Sequence, residues 1–250
     1  MLQNLIKWLL VFGSVTVLGL HAEPSHLHQA VASGDVQRVN ELLQQGVSPE
    51  ERDDQGQTPL FLAVQSEGRE MVMLLLRHHA DVGARDAQGC TPFLIAAAHD
   101  QTVAALLLLD QGAKLGATDK DGNSALHYAA STGSLRMVEF LLARGLDLEK
   151  TNRHHRTPLM AAILGSPLFE TSEVGERVQA AELLLTRGAN PNAQDLEGNM
   201  PLHLSASADA LSPFTRLLLR HGGDASARNK AGQTPADIIS KRRQASIVNR

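Results

Sequence analysis

The sequence predicts an all-α fold, a solenoid of stacked helix pairs joined by hairpin-like loops. Three observations predict it. A proline-bearing tripeptide recurs at a fixed spacing, a turn glycine recurs at the same spacing, and two short helical patterns lie between the markers. The tripeptide Thr58-Pro59-Leu60 returns as Thr91-Pro92-Phe93, Ser124-Ala125-Leu126 and Thr157-Pro158-Leu159, each 33 residues on. Met200-Pro201-Leu202 and Thr234-Pro235-Ala236 follow at steps of 43 and 34. The second series is Gly46, His79, Gly112 and Gly145, again 33 apart, then Gly188 and Gly222 at the same steps of 43 and 34. Two independent series that keep one period and stretch at one place define a repeat.

The unit between the markers has a physical reading. Thr58 suits a helix N-cap, because its hydroxyl accepts an otherwise orphaned backbone N–H. Pro59 suits the first helical position, where its missing N–H costs nothing. Leu60, Ala63 and Val64 then share one helix face. A short turn falls around Glu67-Gly68, and Val72, Leu75 and Leu76 give a second helix the same spacing. The Gly46-type residue ends that helix, where a left-handed cap is expected. The polar run from Asp81 to Cys90 reads as a hairpin-like loop. Ala63, Ala96, Ala97, Ala129, Ala130 and Ala162 keep the first helix thin, so that copies stack closely. One pair cannot bury its apolar face alone. A stack can, with stability summed over units and interfaces.

Composition agrees and excludes several classes of function. The 250 residues are 43% hydrophobic and 20% charged, but only 3% aromatic, so the core is built from Leu, Ala, Val and Ile. A net charge of −4 gives no general pull toward nucleic acid or an anionic membrane surface. The single cysteine, Cys90, excludes an intramolecular disulfide and a multi-cysteine metal site. It is either an ordinary loop residue or a reactive thiol. His78-His79 and His154-His155 are adjacent pairs, which point different ways on a helix and chelate poorly. Phosphate loops, nucleophile elbows and paired-carboxylate motifs are absent. The expectation is a protein that is not an enzyme, with no catalytic residues, cofactor or metal.

The N-terminus stands apart. Met1 to Lys7 carries one positive charge and no acid, and Leu9 to Leu20 is a 12-residue uncharged run. Ala22 then offers a small residue for cleavage before Glu23-Pro24. This reads as a signal peptide over 1–22, and the run is short for a membrane span. The mature chain is expected in the periplasm or secreted, with an uncleaved membrane anchor as the alternative.

Asp119 to Gly133 (DKDGNSALHYAASTG), with Val138, Leu141, Leu142, Gly145 and Asp147, resembles the ankyrin repeat almost position for position. The resemblance spans about residues 25–250. It divides the chain into an N-terminal capping repeat (25–52), full repeats at 53–85, 86–118, 119–151, 152–194 and 195–228, and a C-terminal cap at 229–250. It implies recognition of a protein partner across a concave face by a monomer, with no nucleic acid and no membrane once the leader is removed. The variable contact positions of the family fall on Asp54, Gln55, Gln57, Gln65 and Ser66 in the second repeat, and on Ala87, Gln88, Cys90 and His99 in the third. They continue with Lys120, Asp121, Asn123, Ser131 and Thr132, then Arg153, His154 and Arg156, then Leu196, Glu197 and Asn199. A periplasmic adaptor, inhibitor or immunity-type protein fits; a secreted effector acting on host proteins is the alternative, and an enzyme the outlier.

The departures from the pattern concentrate in repeats five and six. Ten extra residues lie within Leu164 to Arg177, between the two helices of repeat five. Glu170, Glu173 and Glu176 make the insertion acidic, while Leu168 and Phe169 are candidate contacts. A tolerated surface loop is the other reading. His155 replaces the turn glycine, giving the basic tip Arg153-His154-His155-Arg156. Its counterpart in the first full copy is read as the acidic stretch Glu50 to Asp54, so the tips form either a solvated charge face or a docking strip. Met200 replaces a capping Thr, a loss of about 1 kcal/mol. Repeats five and six are therefore the expected soft point.

Overall fold

The computed structural model describes residues 26–66, 68–165, 174–208 and 213–248. The expected leader (1–22) and the centre of the insertion, with Leu168 and Phe169, lie outside the described residues. Among the described residues, thirteen helices alternate between an inner and an outer column. The inner column is α1 (His26–Ala32), α3 (Pro59–Gln65), α5 (Pro92–Ala98), α7 (Ala125–Thr132), α9 (Pro158–Leu164), α11 (Pro201–Ala208) and α13 (Pro235–Val248). The outer column is α2 (Val36–Gln44), α4 (Arg69–Arg77), α6 (Thr102–Asp110), α8 (Leu135–Leu142), α10 (Val174–Thr186) and α12 (Pro213–Arg220). Each helix packs on its column neighbours and, α13 excepted, on a pair mate, so the chain is an all-α solenoid. No sheet forms among the described residues, only an isolated bridge between Thr118 and Ser124. No described helix is long and apolar enough to cross a membrane.

Inner helices carry the core. Every residue of α5 and of α7 is buried, because alanines let helices approach on both sides. Leu60, Leu126, Leu159 and Leu202 of the recurring tripeptide are all buried. Truncating such a leucine to alanine costs about 2–5 kcal/mol. Outer helices bury one stripe, as Met71, Val72 and Leu75 do in α4. The helix α6 is apolar around its circumference and leaves Val103 and Leu106 exposed.

The glycine series ends the outer helices as expected, with Gly46, Gly112, Gly145, Gly188 and Gly222 all at positive φ. His79 adopts the same conformation with φ 61, and His155 has φ 55 at its turn. These β-carbon-bearing residues occupy a region that costs an L-residue about 1–2 kcal/mol. Asp100, at φ 56, is the third among the described residues.

The threonine caps are weaker than the sequence implies. Thr91 and Thr157 accept from Leu94 N–H and Met160 N–H at 3.4 Å, and the buried Thr58 hydroxyl makes no hydrogen bond. The loss at Met200 is correspondingly smaller than a strong cap would make it. There the backbone N–H of Met200 donates to His203 Nδ1 at 3.2 Å instead.

Histidine does part of the stacking. In α7, His127 Nδ1 accepts the Ser124 N–H at 3.2 Å, while its Nε2 lies 2.9 Å from the Arg156 carbonyl of the next repeat. That pair of contacts requires the Nε2–H tautomer. His203 repeats the arrangement toward Gln233 O at 3.0 Å, and His28 reaches Gln57 O at 3.0 Å. Burial holds the His127 imidazole below its usual pKa, so it stays neutral. Phe61, Leu94 and Met160 fill the same slot with apolar bulk.

Two stability measurements follow. Replacing His155 by glycine relieves the left-handed strain and raises the urea midpoint by an equivalent of about 1 kcal/mol; an unchanged or lower midpoint rejects the strain. Backbone amides of repeats five and six exchange with deuterium faster than those of repeats two to four, and equal protection contradicts a soft point there.

Candidate functional site

The loops between repeats are fingers built on one carboxylate or amide each. Asp53 Oδ1 accepts the backbone N–H of Gln55 (3.0 Å) and of Gln57 (2.8 Å). Asp86 holds Gln88 and Cys90 in the same way, and Asp195 holds Glu197 and Asn199. Asn152 substitutes its amide oxygen and holds His154 (2.9 Å) and Arg156 (3.1 Å). Such short side chains close turns on their own backbone.

Fingertips then hook together. Ala87 N–H donates to Gln55 O (2.9 Å), Lys120 to Gln88 O (3.0 Å), Arg153 to Asp121 O (2.8 Å), Leu196 to His154 O (3.1 Å) and Lys230 to Glu197 O (3.0 Å). The approach is close enough to need glycine beside it. A β-carbon on Gly89 would stand 3.0 Å from Lys120 N. Arg52 and Arg85 staple the finger bases, each donating from Nη1 to one carbonyl of its own finger and one at the base of the next. At the bases of two finger pairs, Asn152 Nδ2 donates to Asn123 Oδ1 (2.7 Å) and Asn229 Nδ2 to Asn199 Oδ1 (2.8 Å).

Between the tips and the inner helices of repeats three to five lies a groove of about 690 Å³. Its walls include Gln88, Lys120, Asp121, Asn123, His154 and Arg156, with Ala161 and Leu164 on the α9 side. Beneath it is a buried polar chain. Tyr128 O–H donates to Asp119 Oδ2 at 2.6 Å and lies 3.1 Å from Cys90 Sγ. Asp119 Oδ2 also accepts Asn123 Nδ2 at 2.9 Å. Burial, then the hydrogen bond to Asp119, raises the Tyr128 pKa, so the phenol stays protonated.

The structure sorts the residues predicted as contacts. Asp54, Gln55, Gln88, Lys120, Asp121, Arg153, His154, Leu196 and Glu197 are exposed at fingertips, as is Ala87. Gln57, Asn123, Arg156 and Asn199 are half-buried at finger bases. Gln65, Ser66 and His99 lie instead around the ends of α3 and α5. His99 borders a separate depression of about 490 Å³ with Asp100, Arg136 and Glu176. Glu197 and Asn199 line another, of about 720 Å³, with His203 and Lys230.

Three expectations are corrected. Ser131 and Thr132 are buried, and their hydroxyls donate back to Tyr128 O, so they are not contact surface. Cys90 is 1% exposed under the finger rather than at its tip, and burial pushes its thiol up to about 12, which makes it unreactive. The acidic stretch Glu50 to Asp54 is not the counterpart of the basic tip. Glu50 Oε1 accepts the Asp81 N–H (2.7 Å) at the far end of the outer helices, as Glu149 does for Asn190 (2.8 Å). The tip of that repeat is Asp54 and Gln55. Asp100 is a further capping residue: it serves α8, the outer helix of the following repeat, accepting Met137 N–H (2.8 Å) and Arg136 Nε (2.9 Å). Its signal in the sequence was an acid where Gly34 and Gly133 stand in other repeats.

Described parts of the insertion are anchored. Residues Val174 to Arg177 add a turn to α10, and Arg177 Nη1 donates to Ala162 O (3.1 Å) and Ile163 O (3.2 Å) near the end of α9. Its guanidinium lies 5.7 Å from the Phe214 ring.

Family profiles described as "Ankyrin repeats (3 copies)" match residues 27–119 and 103–170, and one described as "Ankyrin repeats (many copies)" matches 184–239. The chain belongs to the ankyrin-repeat family. A mouse B-cell lymphoma 3 protein homolog is 39% identical over 83 residues, which are 33% of this chain and 18% of that protein. A putative ankyrin repeat protein of Rickettsia felis is 38% identical over 58 residues, 22% of this chain and 26% of that protein. The chain thus spans only a small part of the curated relatives it matches. Among solved structures, the human ASB11 ankyrin repeat domain superposes with TM-score 0.72 at 25% identity, covering 86% of this chain and 91% of that one. The Bcl-3 ankyrin repeat domain gives TM-score 0.65 at 31% identity, covering 88% and 98%. Ankyrin repeats are protein-interaction modules. No group of three or more potential metal ligands occurs among the described residues.

Native Cys90 should react with a water-soluble thiol reagent at pH 8 at least about a hundredfold more slowly than in urea. Equal rates would place the thiol at the surface.

Proposed function

We propose that this chain works without catalysis, holding a partner protein in the groove of repeats three to five after export to the periplasm. The role is that of an adaptor, inhibitor or immunity-type protein. The observation that carries the binding reading is the groove itself. Exposed polar tips stand on a backbone already fixed by the finger turns and the tip-to-tip hydrogen bonds. Binding then orders few groups, which is where preorganised surfaces gain affinity. The periplasmic placement is supported by the charge and apolar pattern of residues 1–22.

Affinity capture with the full chain, followed by mass spectrometry, should recover a protein that is lost when Arg153, His154 and Arg156 are all changed to alanine. Retention of that protein by the triple variant removes the basic tip from the site. Recovery of the chain from culture medium without lysis overturns the periplasmic placement in favour of an effector released from the cell.

A further inference from the structure

We propose that Arg156 is the anchor of the groove, and that the segment it receives is an extended stretch of the partner carrying a Glu or Asp side chain. This rests on the reading of the groove as the protein-binding face. Arg156 stands where Gln57, Cys90, Asn123, Asn199 and Gln233 stand in the other repeats, so it is the one charged residue in that slot. Its backbone is fixed on both sides, its N–H by Asn152 Oδ1 (3.1 Å) and its carbonyl by His127 Nε2 (2.9 Å).

The guanidinium is unsatisfied. Nε has no hydrogen-bond partner, and the nearest carboxylate, Asp195, lies 3.9 Å away. Asp195 Oδ1 is committed to the N–H groups of Glu197 and Asn199, and Oδ2, the oxygen facing Arg156, accepts Asn199 Nδ2 at 3.4 Å. Arg52 and Arg85, by contrast, each donate to two carbonyls. Nε itself is buried, but the side chain as a whole is one-third exposed (34%), so a ligand reaches Arg156 at atoms other than Nε. Unused guanidinium donors match a carboxylate, which takes two parallel hydrogen bonds from such a fork.

The surroundings fit an acidic segment. Within the groove, Asp119 is buried and spent on Tyr128 and Asn123, which leaves Asp121 as the exposed acid, on the neighbouring tip. His154 stands on the rim beside Arg156. Leu164 on the α9 wall and Leu196 on the tip after His154 are 42% and 40% exposed, which adds apolar contacts for a neighbouring side chain. An acid followed or preceded by a large aliphatic residue is the matching pattern.

The test uses the full chain and fluorescein-labelled peptides of alternating Glu and Leu, Gln and Leu, and Lys and Leu. The Glu peptide should bind about tenfold or more tighter than the Gln peptide. Arg156→Gln should abolish that preference while leaving Gln-peptide affinity and the thermal midpoint near their original values. Arg156→Lys, which keeps the charge next to Asp195, should retain part of the preference and guards against a folding defect. Persistence of the full preference in Arg156→Gln overturns the assignment. Equal binding of Glu and Gln peptides, with both slowing amide exchange at His154 and Leu164, overturns it while leaving the groove as the binding face. If no peptide protects the groove, both readings fall. A single-stranded oligonucleotide that binds in an Arg156-dependent manner more tightly than the Glu peptide overturns the choice of a polypeptide partner.

Discussion

From the third repeat on, one backbone N–H reaches one carbonyl of the preceding fingertip, and the placing of the fingertip side chains depends on that bond. Arg153 N–H to Asp121 O, at 2.8 Å, sets where Arg153 and His154 stand relative to Lys120. The bond forms only if the finger is already closed, which is the work of the Asp or Asn that opens each repeat. It also needs room, which explains glycine beside the tip and the left-handed backbone that a histidine must adopt at 155. Closed turn, close approach and tip-to-tip bond are one constraint seen at three scales. Because each repeat touches little beyond its neighbours, that constraint is local and is renewed once per repeat.

The inner column uses a second device that can be exchanged. His127 ties its own helix start to the next finger through two ring nitrogens, whereas Phe61, Leu94 and Met160 fill the same slot with apolar bulk. A hydrogen-bonded clasp adds directional register, and its net worth is about 0.5–1.5 kcal/mol per bond. Apolar bulk adds burial without direction. The solenoid tolerates both because the finger ladder already fixes the register.

Much of this was legible in the sequence. The period, the helix pairs, the cap positions and the site of the insertion follow from spacing, because a solenoid repeats its physics in every copy. The fingertips of repeats two to six were legible for the same reason. What escaped were contacts between copies that no spacing encodes. The depth of Cys90 depends on Tyr128 reaching over from the following repeat, 38 residues on. Ser131 and Thr132 look polar and available, but their hydroxyls turn back to the α7 backbone. Glu50 is acidic and close in sequence to the finger, yet it serves the opposite end of the next repeat. In each case residue chemistry was right and direction was missing.

The departures cluster in repeat five, and they compensate one another there. An insertion lengthens the link between inner and outer helices, and Arg177 ties the start of α10 to the end of α9 by donating to Ala162 O and Ile163 O. His155 strains the finger, while the Asn152 turn and the Leu196 bond to His154 O hold it in place. Arg156 places a charge where other repeats carry a neutral side chain, and Asp195 offsets the charge without using its donors. A repeat selected only for stacking would have kept glycine, a neutral base and a short link, since each change costs stability at its own position. Three such costs gathered at one end of the groove make sense if the surface they build is the part of the solenoid that meets another molecule.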